Sequence, residues 1–328
     1  MSTDEMSEFI DRLGTDQLND RGAIAGVPLQ GSCEKAPDRF DYNAGDLCQW
    51  LILSDGKFAP ASATTPKIPP GVYQVEIPPN GPLMLCSKRI VTDELLRFPE
   101  AAMARVLIGI QKFWDSRDRF LRRGQIFKRG VLLWGDPGSG KTCTVNLLMQ
   151  DLVERGGIVL LVDWPHGAIQ GLEKIRRIEP TRPVICVMED LDEIVRQHGE
   201  AQTLSLLDGE SQTDNIVHIA TTNYPSLLDK RFVNRPSRFD EVIKIGMPSA
   251  ETRRIYLRSR LTVEELSDHE IARWIKDTDG MSIAHLRELV VAVHCLDREY
   301  AETLSRLKAM MRKPTEQARI LGMTGAAD

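Results

Sequence analysis

The stretch Gly135-Asp136-Pro137-Gly138-Ser139-Gly140-Lys141-Thr142 decides the fold of this chain. It fits the pattern G-x-x-x-x-G-K-[ST], the signature of a phosphate-binding loop. The apolar run 131–134 before it predicts a buried strand, and residues 143–149 after it predict the first turns of a helix. Because the motif requires a strand, a glycine loop and a helix in this order, we favour it over an ordinary glycine-rich turn.

The chemistry of this loop predicts a nucleoside triphosphate with Mg²⁺. Glycines at 135, 138 and 140 permit positive φ and close backbone approach, so successive N–H groups can point at phosphate oxygens. The helix N-terminus, with Cys143 in its first turn, adds partial positive charge. Lys141 can reach the β- and γ-phosphates, and the Thr142 hydroxyl can ligate Mg²⁺. We therefore expect residues 135–143 to bind the nucleotide.

Composition sets the broad class. The chain has 328 residues, 42% hydrophobic and 27% charged, which predicts a globular protein of two or three units. A net charge of −5 gives no global reason to expect nucleic acid. The six cysteines are scattered without a C-x-x-C pair, no apolar stretch reaches the ~20 residues of a membrane span, and the N-terminus lacks a signal pattern. We expect a cytoplasmic protein with reduced thiols.

Further apolar runs alternate with helical patterns. Strands are predicted at 158–162, 184–188, 216–220 and 241–245. Residues 96–247 therefore predict an α/β doubly wound parallel sheet, with its ligand at the carboxyl ends of the strands. Helices predicted at 249–260, 264–276, 283–298 and about 300–312 form a small helical unit over 248–313, and the tail 314–328 is predicted to be loose.

Residues 1–95 predict an N-terminal accessory region without recognisable chemistry. A short helix is predicted over 7–18, and strand-like pieces lie at 48–53, 72–77 and 83–86. The Pro-rich stretch 59–71 predicts a linker or an extended loop. A small β-rich module and an irregular arm on the main domain both remain open.

Polar residues follow the predicted strands where a nucleotidase needs them. Glu189 and Asp190 end the strand 184–188, and such a pair can hold the Mg²⁺ shell and polarise the attacking water. Asn223 follows the strand 216–220 and can contact the γ-phosphate or the water. Arg235 and Arg238 lie three residues apart before the last strand.

Basic and aromatic residues between 117 and 129 form a second cluster. Such a cluster can bind nucleic acid, but it is more often a solvated face or one side of a subunit contact. The nucleic-acid interpretation is open but not favoured.

The motifs together resemble the AAA family of ATPases over residues 100–312. Residues 135–142 resemble its Walker A loop, 184–190 its Walker B strand, 219–223 its sensor 1 strand, 234–240 its arginine-finger segment and 280–286 its sensor 2 region. The resemblance implies ATP hydrolysis with Mg²⁺ in a homo-hexamer, a helical lid that closes on adenine, and a protein partner that is remodelled, unfolded or disassembled.

The resemblance also implies roles for single residues. Most members end Walker B in Asp-Glu, whereas this chain has the reverse order. By register, Glu189 takes the Mg²⁺ role and Asp190 the water-polarising role. The inverted pair and the approach 119–130 are similar to the mitochondrial AAA chaperone subgroup that matures respiratory complex III, although no apolar stretch corresponds to its membrane anchor. Arg235 and Arg238 are implied to act on the nucleotide of the neighbouring subunit.

Two positions remain open within the resemblance. Ile283-Ala284 stands where other clades carry the sensor 2 arginine, and Arg287, one turn on, either substitutes for it or is an ordinary helix residue. Residues 164–167 occupy the place of an aromatic pore loop, but a Trp buried at a strand end is the usual alternative for Trp164. The rival functions are a nucleic-acid motor or loader, and an ATP-driven assembly switch with slow hydrolysis. No H-E-x-x-H occurs, so a zincin-type protease site is not expected.

Overall fold

The computed structural model describes residues 49–52, 58–61, 64–78, 81–90, 95–98, 101–208, 214–233 and 238–311. The strands within these residues are β1 (Gln49–Ile52), β2 (Phe58–Ala61), β3 (Gly71–Glu76), β4 (Met84–Ser87), β5 (Lys128–Trp134), β6 (Ile158–Leu161), β7 (Val184–Met188), β8 (Ile216–Thr222) and β9 (Glu241–Lys244). The helices are α1 (Ala101–Trp114), α2 (Arg117–Leu121), α3 (Lys141–Glu154), α4 (Pro165–Ile178), α5 (Leu191–His198), α6 (Glu200–Asp208), α7 (Lys230–Val233), α8 (Ala250–Arg260), α9 (Asp268–Asp277), α10 (Ile283–Val290) and α11 (Tyr300–Met310). The predictions for 7–18 and 314–328 lie outside the described residues.

The fold is built on a seven-stranded sheet in the order β4-β3-β6-β7-β8-β5-β9. Every neighbouring pair is parallel except β3 and β4. The strand that leads into the phosphate loop, β5, lies inside the sheet between β8 and β9. The predicted α/β parallel sheet is confirmed, and the carboxyl ends of β5, β7 and β8 meet at one edge.

Side-chain alternation sends the strand residues into two apolar cores, one on each face of the sheet. On β5, Val131 and Leu133 join the core that holds α1 and α3, whereas Leu132 joins the core that holds α4 and α6. Both faces are covered, so the central strands are apolar throughout rather than alternating. This is the physical reason why short apolar runs identified them in the sequence.

Two strands of the predicted accessory region belong to the main sheet. β3 pairs in parallel with β6, and β4 pairs with β3. The sheet therefore begins before residue 96, and residues 71–87 are not part of a separate module. β1 and β2 form their own two-stranded sheet, so the first residues of the predicted linker 59–71 are strand.

After β9 the described chain is helical, from α8 to α11, with helix ends shifted from those predicted for the lid. The helix predicted from 264 begins at Asp268, because Ser267 and Glu270 form a capping box that fixes its start. The helix predicted over 283–298 passes into a π-turn at Val291–Cys295 and stops before α11. Among the described residues, no helix is both long enough and apolar enough to cross a bilayer.

The pore-loop candidate 164–167 lies mostly within a helix. α4 begins at Pro165, because proline is well suited to the first position of a helix. Trp164 is 39% exposed, and its ring lies against the first turn of α4, since a Cβ on Gly167 would come within 2.5 Å of it. The ring is therefore neither buried in the core nor carried on a projecting loop.

Candidate functional site

The phosphate loop connects β5 to α3 at the carboxyl edge of the sheet. Gly138 and Gly140 have φ of 76° and 106°, which glycine adopts without strain. Gly135 lies against the backbone after β9, since a Cβ there would come 2.2 Å from the carbonyl oxygen of Ile245. The glycines therefore let the loop turn tightly and lie close to the backbone that follows β9.

The remaining loop residues suit an anionic ligand. Asp136 and Pro137 are exposed at the tip of the loop, and Thr142 is exposed at the start of α3. Ser139 is 7% exposed, and its hydroxyl has no hydrogen-bond partner among the described residues. A buried hydroxyl without a partner is costly, and a phosphate oxygen would satisfy it.

Lys141 is held inside the loop. Its Nζ donates to the carbonyl oxygens of Gly135 (2.8 Å) and Asp136 (3.1 Å) and to Oδ1 of Asn223 (2.7 Å). Burial lowers the pKa of Lys141, and the charge of Asp190 opposes this shift. The ammonium group is thus desolvated and lies between the phosphate loop and the end of β8.

Asn223 joins the lysine to the acidic pair. Its amide nitrogen donates to Oδ1 of Asp190 (3.3 Å), while its amide oxygen accepts from Lys141. The two contacts fix the orientation of the amide, because only its nitrogen can donate and only its oxygen can accept. The structure therefore brings together three residues that lie far apart in sequence, Lys141, Asp190 and Asn223.

Glu189 and Asp190 follow β7 with different backbone geometry. Ile185 and Val187 face the core that holds α3. Side chains alternate along a strand, so the same alternation continued past Met188 places Glu189 on the side of the sheet that α3 covers. Asp190 instead adopts a left-handed backbone with φ of 49°. Both residues are exposed. Which of them holds Mg²⁺ and which polarises the water stays a prediction.

Two threonines that sequence reasoning passed over hold this turn in place. The hydroxyl of Thr221 accepts the backbone N–H of Asp190 (3.1 Å), and the hydroxyl of Thr222 donates to Asp192 (2.6 Å). Both threonines are buried at the end of β8. The sequence does contain a signal for them: two adjacent threonines end β8, the strand that pairs with β7, and the acidic pair follows β7.

Of the two arginines predicted to act on a neighbouring nucleotide, only Arg238 lies within the described residues. Arg235 lies outside the described residues. Arg238 is 4% exposed, and its guanidinium donates to both carboxylate oxygens of Asp208, at 2.8 and 2.5 Å. The hydrogen bonds to Asp208 raise the pKa of Arg238. In the single chain Arg238 is therefore engaged by Asp208, a partner that the sequence did not reveal.

A cavity of about 550 Å³ opens beside the phosphate loop. Its walls are mostly apolar and come from residues 95, 96, 98, 102 and 103, from the start of α3, including Cys143, and from the lid. Ile283, Ala284 and Arg287 of α10 all line it. The lid touches the loop directly, because a Cβ on Gly138 would come 2.5 Å from the hydroxyl of Ser282. The size and position suit the base and sugar of a nucleotide.

The donor set suits Mg²⁺. The oxygens of Thr142, Glu189 and Asp190 are the hard ligands that Mg²⁺ prefers. No group of three or more His, Cys, Asp or Glu side chains is placed to hold a metal in the part of the chain that the structure describes. A magnesium ion here would need phosphate oxygens and water to complete its shell, as it does in phosphate-loop enzymes.

The sheet, the loop and these side chains have the arrangement of a phosphate-loop nucleotide-binding domain. Residues 131–247 match the model of one such family, the "ATPase family associated with various cellular activities (AAA)". This part of the chain is therefore an AAA ATPase domain, as its motifs predicted.

Relatives of known name agree with this family. The "ATP-dependent zinc metalloprotease FtsH 2" of Salinibacter ruber is 30% identical over 203 residues, which are 55% of this chain and 29% of the relative. The "ATPase family protein 2 homolog" of Caenorhabditis elegans is 26% identical over 299 residues, which are 83% of this chain and 39% of the relative. The chain spans only about a third of the length of these relatives. The resemblance to the complex III-assembly subgroup stays a prediction.

Proposed function

We propose that the protein hydrolyses ATP with Mg²⁺ in an oligomeric ring and uses the cycle to remodel, unfold or disassemble a protein partner. The observation that carries this proposal is the contact chain from Lys141 through Asn223 to Asp190. It links the group that would bind the γ-phosphate to the group that would polarise water. Relatives whose names describe ATPases and ATP-dependent proteases support the coarse activity.

Each residue then has a physical task. Lys141 pairs with the β- and γ-phosphates, and the hydroxyl of Ser139 gains an oxygen partner. Mg²⁺, held by Thr142 and Glu189, would neutralise charge on the same phosphates. The carboxylate of Asp190 accepts a hydrogen bond from the attacking water, and Asn223 orients both the water and the γ-phosphate.

A ring is proposed because the chain needs an arginine from a neighbour. A guanidinium that stabilises charge on the transferred γ-phosphate is a large part of catalysis in such enzymes. Arg238 is bound to Asp208 within its own chain, so we assign the contact in trans first to Arg235, with Arg238 as its support. The homo-hexamer and a cytoplasmic location are parts of this proposal, the latter supported by the scattered cysteines.

One observation favours a second candidate, the assembly switch with slow hydrolysis. Asp190 is one methylene shorter than the glutamate usual at its position and sits in a left-handed backbone that disfavours most residues. The attacking water must then lie closer to the backbone for the same contact. If it cannot, ATP mainly drives assembly.

The ATPase rate of the purified protein, alone and with an unfolded protein, single-stranded DNA or double-stranded DNA, tests the proposal. A rise with polypeptide supports the remodeller, and Trp164→Ala then tests the pore-loop hypothesis. A rate that rises with DNA but not with polypeptide contradicts the protein remodeller. A slow rate in every case supports the assembly switch.

Two variants test the assigned roles. Asp190→Asn is expected to bind ATP and fail to hydrolyse it, and Glu189→Gln serves as its comparison. If Glu189→Gln alone traps ATP, the two roles are reversed.

A further inference from the structure

The basic segment 117–129 plays no part in the nucleotide site. The aromatic side chains in and beside it are packed on one another. Phe113 and Phe127 are stacked at 4.1 Å between ring centroids, and Phe120 meets Phe127 edge-on at 5.2 Å. Bases of single-stranded nucleic acid need exposed aromatic faces to stack on. The feature that made this segment resemble a nucleic-acid patch is therefore part of the core.

Part of its positive charge is also taken. Arg117 pairs with Asp214 (3.8 Å), and Arg129 pairs with Glu241 (2.9 Å). Lys128 donates to the carbonyl oxygen of Leu207. These contacts engage three of the cations with other parts of the chain.

Three arginines remain at the surface. Arg119, Arg122 and Arg123 are exposed, and among the described residues none of them forms an ion pair. Leu121 and Ile126, which are 48% and 43% exposed, lie between and beside them. We call these five residues the basic turn. Arginines pair with anionic groups, and exposed Leu121 and Ile126 favour a partner that also offers apolar side chains, as an acidic amphipathic segment does.

The first twenty residues of the chain have this chemistry. Between residues 4 and 20 they carry six carboxylates, at 4, 5, 8, 11, 16 and 20, against one basic residue, Arg12. Met6, Phe9, Ile10 and Leu13 follow the spacing i, i+3, i+4, i+7 that gathers apolar side chains on one helical face. Acidic residues at 8 and 11 fall between them, and Glu5 precedes Met6.

We propose that the acidic segment 4–20 docks on the basic turn of its own chain. Its carboxylates pair with Arg119, Arg122 and Arg123, and its apolar side chains cover Leu121 and Ile126. The stretch 21–48 between the segment and β1 can extend over about 90 Å, so length does not prevent the contact. Since both parts belong to one chain, docking needs no partner concentration. This inference does not depend on the proposed function.

Hydrogen–deuterium exchange of the full chain tests the contact. We expect the amides of residues 6–13 to exchange at least about tenfold more slowly in the wild type than in the variant Arg119→Glu, Arg122→Glu, Arg123→Glu. The matched control is Lys276→Glu, Arg298→Glu, Lys308→Glu, which makes the same change in charge at exposed sites of the lid. The control is expected to keep the protection.

Charge exchange makes the test specific. Adding Glu5→Lys, Glu8→Lys and Asp11→Lys to the arginine variant is expected to restore the protection. The segment variant alone leaves the described fold untouched, so it must lose the protection even if the arginine variant folds poorly.

Two results would overturn the proposal. One is equal exchange of residues 6–13 in the wild type and both single-sided variants. The other is tight binding of a single-stranded DNA oligonucleotide by the wild type that the arginine variant loses, without any protection of the segment.

Discussion

Replacing Gly130 by alanine probes how the arginine-bearing segment is attached to the sheet. Gly130 lies in β5, and a Cβ there would come 1.8 Å from the carbonyl oxygen of Arg238 and 3.1 Å from Cα of Phe239. These neighbours are backbone atoms, so no side chain can rotate away. The segment 238–240 must move as a unit.

The structure gives the size of the effect. A carbon and a carbonyl oxygen need about 3.3 Å, so the segment must shift by roughly 1.5 Å. That shift breaks the hydrogen bond from Asp240 N to Gly130 O (2.9 Å) and the one from Gly130 N to Oδ2 of Asp240 (2.8 Å). With about 1 kcal/mol for the first, about 2 for the second and about 1–3 for overpacking, we expect a loss of about 4–6 kcal/mol of unfolding free energy.

Urea denaturation measures this loss, and Gly109→Ala is the matched control. Gly109 lies inside α1, and its added Cβ would meet only Oε1 of Glu241, at 3.9 Å. The same substitution there is expected to stabilise the protein by about 0.5–1 kcal/mol. If Gly130→Ala costs less than about 1 kcal/mol, or if the two variants behave alike, the close approach of the segment is wrong.

Three further perturbations have expected outcomes. Asn223→Ala removes the link between Lys141 and Asp190, so kcat is expected to fall about 10²-fold while ATP affinity stays near normal; an unchanged kcat would remove the assigned role. Asp208→Asn leaves the buried guanidinium of Arg238 without a charge partner and is expected to cost roughly 1–3 kcal/mol in urea, since Asp208 itself is 37% exposed; no loss would contradict the pairing. Burial, with the charge of Lys128, lowers the pKa of His218 to about 3. The unfolded chain then binds a proton that the folded chain does not, so stability falls by roughly 1.4 kcal/mol per pH unit below about pH 6.5, and His218→Leu is expected to flatten that slope between pH 6 and 4.

The elements that the sequence predicted share one property, a strong local signal. β7 was predicted with the bounds that the structure shows, and β6, β8 and β9 within two residues. β6, β7 and β8 are buried on both faces and are largely apolar, whereas β9 lies at the sheet edge and carries its apolar signal in Val242 and Ile243. The missed elements have weaker signals. α5 and α6 follow the acidic turn directly, and α7 has only four residues. α1 ends at Trp114 and α2 begins at Arg117, and the turn at 115–116 packs Phe120 on Phe113.

By itself, the sequence determined the class of protein. Residues 135–142 require a strand before them and a helix after them to work as a phosphate loop, and these neighbours are local in the chain. The order of strands after the loop then predicted where Glu189, Asp190 and Asn223 would meet, since parallel strands end at one edge of a sheet.

Only the tertiary structure decided which residues hold the site together. The pairing of Arg238 with Asp208, the hold of Thr221 on Asp190 and the place of β3 beside β6 all join residues at least 30 positions apart. Periodicity reports which face of an element is buried, but not which distant element covers it. The same limit applied to the segment 117–129. The sequence shows its aromatic residues, but only the structure shows that their rings pack on one another, which favours the basic turn over a nucleic-acid surface.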